Sequence, residues 1–216
     1  MKILLINLGV YSILANGLRT ISAYLKKRGH QVSLFFIAFH KGLFEKYQFN
    51  DKKVNELAEN ISNFVLNDSF DLIGMSLTTN FFTPAAIISE TIKKKIPRLP
   101  IIWGGVHPTI LPEACLKYAD MVCLGEGEEA MLELVESMES GRPYLNTKNI
   151  WFRNGNDIVK NDIRFLIEDL NTLPFQDFDI NTHYIVKDNH IVKMKEELLY
   201  EYMPHWRTES SFVYET

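Results

Sequence analysis

The feature that most limits the possible folds of this chain is the alternation of short, almost continuous apolar runs with segments of helical periodicity. The apolar runs stand at residues 3–6, 32–37, 72–77, 101–103 and 121–124. Because these runs do not alternate with polar residues, they are typical of strands that are buried on both faces of a parallel sheet. The sequence therefore predicts five central strands covered by helices on both sides.

Segments with apolar residues three or four positions apart separate these runs. Leu14, Leu18, Ile21 and Leu25, for example, fall on one face of a helix that ends near Gly29. The predicted helices span about residues 14–28, 54–64, 85–96, 111–118 and 128–140. Together the elements predict an α/β fold with a doubly wound five-stranded parallel sheet, of the Rossmann-like or flavodoxin-like kind.

The pattern changes after Pro143. Residues 150–153 and 158–159 read as two short strands around an Asn154-Gly155 turn, which predicts a β-hairpin. The following segment is rich in aromatic residues and too apolar for a free linker, so we expect an extended tail that packs on this domain or on a further one. The predicted organisation is a domain over residues 1–145, a hairpin over 146–162 and a connector over 163–216.

Composition excludes several classes of protein. The formal net charge is -4, and no basic stripe is present that would neutralise nucleic-acid phosphates. No apolar run approaches the ~20 residues that span a bilayer, and the N-terminus lacks a signal-peptide pattern, so a cytoplasmic protein without membrane contact is expected. The chain has 2 cysteines, Cys115 and Cys123, without neighbouring ligand residues, so we expect buried thiols and no residue that ligates a metal.

Glycines and hydroxyl side chains follow the predicted strands. Ligands of an open α/β sheet bind beyond the carboxyl ends of its strands, so these segments form the candidate site. Gly104-Gly105 would let the backbone approach a flat ligand, although a plain tight turn is the alternative. Ser76 and Thr78 would offer hydroxyls to a heteroaromatic ring, and Glu126 would accept hydrogen bonds from ribose.

Other cofactor sites of this fold class lack their required residues. No Gly-x-Gly-x-x-Gly motif opens the first helix, which argues against a dinucleotide. A phospho-receiver needs carboxylates where this chain has Asn7 and Ser76. A P-loop and a nucleophile elbow are also missing. His107 stands alone and is interpreted as a hydrogen-bonding residue and not as a metal ligand.

The motifs of residues 71–76, 104–109, 111–113 and 125–129 together resemble the cobalamin-binding domain of radical S-adenosylmethionine enzymes. The most specific parts are Gly-Gly-x-His-Pro-Thr, Pro-Glu and Gly-Glu-Gly-Glu, in that order. The Asp-x-His-x-x-Gly motif that supplies a cobalt ligand in related methyltransferases and mutases is absent after the first strand. The resemblance thus implies bound cobalamin without a protein imidazole ligand, its lower face shielded by Leu8, Val10 or Tyr11.

The resemblance also implies which residues would line the cofactor site. These are Asn7, Leu8, Gly9, Ser76, Thr78, Thr79, Gly104, Gly105, Val106, His107, Gly125, Glu126 and Gly127. The implied function is that of a cobalamin-binding module in an enzyme of methyl transfer or related radical chemistry. A ligand-free regulatory or interaction domain of the same fold remains the alternative.

The cysteine motif that holds the iron–sulfur cluster of this family, Cys-x-x-x-Cys-x-x-Cys, is absent from the chain. Residues 212–216 resemble the strand that precedes that motif, so the sequence is interpreted as ending before the catalytic domain. We expect no catalytic residue in this chain. In the intact protein we expect a four-iron four-sulfur cluster and S-adenosylmethionine, a catalytic domain as partner of this one, and self-association of the fragment through its aromatic tail.

Overall fold

A computed structural model describes residues 1–10, 13–39 and 51–203. Its strands are β1 (Lys2–Val10), β2 (Gln31–Phe39), β3 (Leu72–Leu77), β4 (Ile101–Gly104), β5 (Met121–Cys123), β6 (Ile150–Asn154), β7 (Asp157–Val159), β8 (His183–Lys187) and β9 (His190–Lys193). Its helices are α1 (Asn16–Lys27), α2 (Asp51–Asp68), α3 (Phe82–Lys95), α4 (Val106–Ile110), α5 (Pro112–Cys115), α6 (Glu128–Glu139) and α7 (Glu196–Tyr202).

The strands of the described residues form one sheet in the order β7-β6-β5-β4-β3-β1-β2-β8-β9. Strands β1 to β5 and β8 run parallel, whereas β6, β7 and β9 are antiparallel to their neighbours. The predicted doubly wound parallel sheet is therefore confirmed. The chain order reverses between β1 and β3, and this switch point opens a crevice at the carboxyl ends of the strands.

The core is divided between the two faces of the sheet. Alternate residues of β1 show the division, since Leu4 and Ile6 pack with α2 and α3, while Ile3 and Leu5 pack with α1 and α6. All four side chains are almost fully buried. Burial on both faces explains why the strands read as continuous apolar runs.

Two predicted element boundaries are corrected. Strand β1 continues through Val10, because residues 7–10 pair with residues 36–39 of β2, so Asn7, Leu8 and Gly9 lie in a strand and not in a loop. The predicted fourth helix, over residues 111–118, is instead two short helices, α4 and α5. Val106 and His107 therefore belong to a helix that begins directly after Gly105.

The hairpin predicted after Pro143 is present, with its turn shifted by one residue. Asn154 pairs with Asp157, so the two-residue loop consists of Gly155 and Asn156. Gly155 has a φ of 63°, a left-handed conformation that glycine adopts without a steric penalty. The hairpin extends the sheet beyond β5.

The connector is not the extended tail that the sequence suggested. Its strands β8 and β9 form a second hairpin that pairs with β2, and α7 follows. The sheet therefore has nine strands where the sequence predicted five plus a hairpin of two. Residues 204–216, including the segment 212–216 compared above with a family strand, lie outside the described residues. No helix in the described part of the chain is both long and apolar enough to cross a membrane.

Candidate cofactor-binding cleft

A cleft of about 510 Å³ lies at the carboxyl ends of β1, β3, β4 and β5, between the N-terminal ends of α1 and α6. Its apolar surface is formed by Leu5, Leu18, Ile21, Ile102, Cys123 and Met131. This volume falls within the range of ~300–1,000 Å³ that is common for small-molecule sites. The position beside the β1/β3 switch point is where ligands of open α/β sheets bind.

Glycines keep the inner part of the cleft open. Gly74 lies in the middle of β3, where a Cβ atom would stand 2.7 Å from Leu5 Cδ2. At Gly104, in contrast, a Cβ atom would make an ordinary contact of 3.7 Å with Cys123 Cβ. Side chains at 102 and 104 both face the cleft, because alternate residues of a strand share one face. A larger residue at position 104 would therefore occupy part of the cleft.

Gly105 is required by the close approach of two backbone segments. Its φ is 98°, and a Cβ atom would stand 2.9 Å from the carbonyl oxygen of Leu77 and 3.1 Å from Ser76 Oγ. Both features favour glycine at this position. Gly105 thus lets the start of α4 lie against the end of β3, next to the Ser76 hydroxyl.

The structure brings seven of the predicted site residues together and leaves five elsewhere. Those lining the cleft are Asn7, Ser76, Gly104, Gly105, Gly125, Glu126 and Gly127. Those not lining it are Leu8, Thr78, Thr79, Val106 and His107, whereas the surroundings of Gly9 lie outside what the structure describes. Leu8 is buried in the core on the α2/α3 face of the sheet, and its role in shielding a cofactor stays a prediction. Tyr11, proposed for the same role, lies outside the described residues, and so does the side chain of Val10.

His107 is buried outside the cleft, where it contacts a polar and an aromatic side chain. Its Nδ1 lies 3.1 Å from Thr79 Oγ1, and its ring centroid lies 4.9 Å from that of Phe82. The interaction with Thr79 ties α4 to the turn after β3. Within the described residues, no group of three or more His, Cys, Asp or Glu side chains is arranged to hold a metal ion.

Three glutamates crowd the start of α6. The Glu126 carboxylate accepts a hydrogen bond of 2.9 Å from the N–H of Ile167, so one of its two oxygens contacts the connector, and its predicted contact with ribose stays a prediction. Burial, and then the charges of Glu126 and Glu129, raise the pKa of Glu128 despite hydrogen bonds from nearby backbone N–H groups. A raised pKa increases the neutral fraction of Glu128, whose acid form can donate a hydrogen bond.

Both cysteines are buried. Burial raises the pKa of each thiol to about 12, with the charge of Glu128 adding to the effect at Cys123. A thiol with such a pKa is almost entirely protonated at neutral pH, whereas nucleophilic and metal-binding cysteines need the thiolate. Cys123 therefore contributes an apolar surface to the cleft.

Several residues of the cleft were missed from the sequence. Ala15, Asn16 and Gly17, at the start of α1, form one rim, and Leu166 of the connector forms another. The Asn16-Gly17 pair at the start of α1 could have indicated the first rim from the sequence, since small residues there leave space beside the end of a strand. No local pattern marked Leu166, because its position depends on a contact between distant parts of the chain.

A family model for the B12-binding domain matches residues 2–135, which include β1 to β5 and most of α6. This match covers more than half of the chain. The chain belongs to the B12-binding domain family. The sequence-based prediction of a cobalamin-binding domain is thereby confirmed, and its cofactor is cobalamin.

Individual relatives share this domain. An uncharacterized methyltransferase of Pyrococcus horikoshii is 25% identical over 113 residues, which are 51% of this chain and 25% of that protein. The cobalamin-dependent S-adenosylmethionine radical enzyme OxsB, solved with aqua-cobalamin and S-adenosylmethionine, matches with a TM-score of 0.64 and 20% identity over 83% of this chain and 24% of its own.

The radical S-adenosylmethionine methyltransferase TsrM from Kitasatospora setae, solved with cobalamin and a 4Fe-4S cluster, gives a TM-score of 0.56 and 17% identity. The match covers 81% of this chain and 31% of TsrM. These two similarities establish the shared fold. The matched regions cover 25%, 24% and 31% of these three proteins, so the chain spans less than a third of their length.

The residues of the cleft fit a part of cobalamin. Its apolar lining suits the heteroaromatic base of the nucleotide tail, and Gly104 and Gly105 let the backbone approach a flat group. Asn7 and Ser76 supply an amide and a hydroxyl at the strand ends, and one oxygen of Glu128 is buried without a hydrogen-bond partner in the described structure. A mostly apolar site with a few polar groups is the usual composition of a cofactor pocket.

Proposed function

We propose that this chain holds cobalamin by placing the nucleotide tail in the cleft between α1 and α6, as the cobalamin-binding module of a radical S-adenosylmethionine enzyme. The observation that supports this most directly is the cleft itself, which lies at the β1/β3 switch point and is lined by Ser76, Gly104 and Gly105. Bound cobalamin would supply methyl transfer or a related radical reaction in the intact protein.

The residues of this chain would bind and orient the cofactor. In the proposal, Asn7, Ser76 and Glu128 hydrogen-bond polar groups of the tail, while Leu5, Ile102 and Met131 cover its apolar parts and exclude water. The glycines of residues 125–127 leave room at the rim. Asn7 and Ser76 pair directly in neighbouring strands, so their side chains are held at fixed positions.

The remaining predictions concern the whole protein. We propose that a catalytic domain with a four-iron four-sulfur cluster and S-adenosylmethionine works with this domain, in the cytoplasm, and that this chain alone self-associates through exposed aromatic residues of the connector. The division at residues 145 and 162 stays a prediction. The substrate would be recognised largely outside this domain, so it is not assigned.

A binding measurement with two substitutions tests the proposed site. Gly104→Leu adds a side chain that must occupy the cleft, so we expect hydroxocobalamin binding to weaken at least about tenfold, or 1.4 kcal/mol. Gly104→Ala is the matched control, because its Cβ atom makes only an ordinary contact with Cys123. Equilibrium dialysis with the absorbance of bound cobalamin gives Kd, and thermal unfolding verifies that both variants fold.

Two results would contradict this proposal. Tight binding by a folded Gly104→Leu variant would place the cofactor elsewhere on the chain. A parent chain that stays colourless after incubation with hydroxocobalamin and gel filtration would favour the alternative, a regulatory or interaction domain that keeps the fold without the cofactor.

A further inference from the structure

One side of the cleft is formed by residues 164–167 of the connector, here called the strap. Leu166 lines the cleft although it lies outside residues 2–135, which match the family model. Its side chain is 71% exposed beside an otherwise apolar surface. An exposed leucine at the edge of an apolar cleft gains free energy when a ligand covers it.

Hydrogen bonds hold the strap at this position from both ends. The N–H of Ile167 donates to Glu126 Oε2, and the N–H of Arg164 donates to Asn149 Oδ1. Asn149 also donates from Nδ2 to the carbonyl oxygen of Glu126 at 2.8 Å. One buried asparagine therefore links the strap to the loop after β5, whose residues 125–127 also line the cleft.

Asn149 is suited to this linking role by its backbone conformation and burial. It is 2% exposed, and its φ of 67° is a left-handed conformation that asparagine adopts more readily than most residues. On the outer side of the strap, Arg164 pairs with Glu133 and lies 3.9 Å from Glu129. The side chain of Phe165 is 98% exposed and does not line the cleft.

We infer that Leu166 contacts the bound cofactor and that Glu126 and Asn149 are positioning residues that hold it there, so the binding site includes the connector. This inference rests on the proposed function and gives Glu126 a role beyond the predicted contact with ribose. Glu126 holds the strap through the N–H of Ile167.

Substitutions in the complete 216-residue chain test the inference by hydroxocobalamin dissociation. Leu166→Ala removes most of the apolar contact, so we expect the dissociation rate to rise about tenfold. Leu166→Met keeps the apolar volume and is expected to restore slow dissociation. Phe165→Ala removes a neighbouring exposed side chain that does not face the cleft, so it is expected to match the parent.

The role of Glu126 is tested by a double-mutant cycle and by hydrogen exchange without cofactor. Glu126→Ala is expected to speed exchange of the Ile167 amide and to weaken hydroxocobalamin binding. Glu126→Gln keeps an acceptor oxygen, so slow exchange and tight binding are expected to remain. If Glu126 acts through Leu166, adding Glu126→Ala to the Leu166→Ala chain weakens hydroxocobalamin binding little further.

The outcomes separate this inference from the proposed function. A parent chain that does not bind hydroxocobalamin overturns both. A parent that binds, with Leu166→Ala equal to Phe165→Ala, leaves the proposed function intact and overturns the contact of Leu166. Full additivity of the Glu126→Ala and Leu166→Ala effects overturns the positioning role of Glu126.

Discussion

At the scale of single residues, a buried arginine fixes the connector to α1. Arg19 is fully buried, and its guanidinium lies between the rings of Phe36 and Phe178, 4.8 and 4.3 Å from their centroids. It donates hydrogen bonds to the backbone oxygens of Ile13, Leu14 and Asp177. A planar guanidinium can satisfy this combination of stacking and hydrogen bonding, whereas a lysine cannot.

Asp177 forms the other half of this attachment. Its carboxylate accepts hydrogen bonds of 2.6 Å from Ser22 Oγ and 2.7 Å from Lys26 Nζ, and His183 Nε2 lies 3.4 Å away. Burial acts to raise the pKa of Asp177, but the contacts with His183, Lys26 and Ser22 outweigh it and hold the pKa well below its usual range. Burial lowers the pKa of His183, which Asp177 only partly offsets.

The lowered pKa values of Asp177 and His183 both predict that the fold becomes less stable in acid. A depressed folded-state pKa means that the unfolded chain takes up the proton first, so stability falls as pH falls. His183 contributes to this loss below about pH 6.5 and Asp177 below about pH 4, their unfolded pKa values. We expect chemical denaturation between pH 8 and pH 3 to show a decreasing free energy of unfolding in these two windows. A stability independent of pH across the range would contradict the assignment.

Asp177→Asn tests the contribution of the carboxylate charge directly. The loss of this buried, hydrogen-bonded charge is expected to lower the free energy of unfolding by about 2 kcal/mol at pH 7. The value is smaller than for a fully buried ion pair because Lys26 keeps some contact with solvent. The variant should also show a smaller decrease in stability below about pH 4 than the parent, because the contribution of Asp177 is gone. Asp179→Asn is the matched control, since Asp179 is largely exposed and 4.0 Å from Lys26, and a cost below about 0.5 kcal/mol is expected.

At the scale of secondary-structure elements, the β8–β9 hairpin attaches the connector to the edge of the sheet. Lys187 pairs with His190, so the loop consists of Asp188 and Asn189, with φ angles of 50° and 65°. Two successive residues with positive φ define a type I′ turn, whose twist suits a two-residue hairpin. The short turn sets the register in which β8 pairs with β9.

The positive φ of Asp188 predicts which substitutions in this turn lower the stability of the fold. Asp188→Val places a β-branched residue at positive φ and is expected to lower the free energy of unfolding by about 1 kcal/mol. Asp188→Asn should be neutral, because asparagine tolerates this conformation. His190→Val, in the adjacent exposed strand position, controls for the added valine. Urea denaturation of the three variants measures the differences, and equal stability of Asp188→Val and the parent would contradict the turn assignment.

Elements that are marked by their own residues could be predicted from the sequence. Elements that depend on contacts with distant residues could not. The central strands could be predicted because burial on both faces leaves a continuous apolar run. The end of β1 could not be predicted, since Asn7 and Gly9 have low strand propensity and become strand residues through pairing with the neighbouring strands. The second hairpin had a local signal in the residues around Asp188-Asn189, which the aromatic richness of the connector obscured.

The residues of the candidate site were likewise predictable only where their position follows from a strand of the sheet. Ser76, Gly104 and Gly127 lie at strand ends, so the rule for open α/β sheets placed them correctly in the cleft. His107 and Thr79 follow strands too, but they interact with each other and not with the cleft. Leu166 reaches the cleft through contacts with residues about forty positions earlier, which no local pattern encodes.

At the scale of the whole molecule, the described connector is only partly covered by the rest of the chain. Phe178 packs against Arg19, and Tyr202 is buried at the end of α7, so these aromatic residues contribute to the core. Phe165 and Phe175 are almost completely exposed, with Leu166 and Leu170 nearby in sequence. Clusters of exposed apolar side chains are typical of surfaces that bind another protein.

The proposed self-association depends on this exposed surface and is tested at Phe175. Phe175→Asp removes an apolar ring that is 99% exposed and adds a charge, so burial against a second copy becomes unfavourable. We expect sedimentation velocity to show self-association of the parent that rises with concentration and a dimer dissociation constant at least about tenfold higher in the variant. Asn146→Asp adds the same charge at another exposed position and should behave like the parent. A parent that remains monomeric at all concentrations, or a Phe175→Asp variant that associates equally well, would show that this surface does not pair with a second copy.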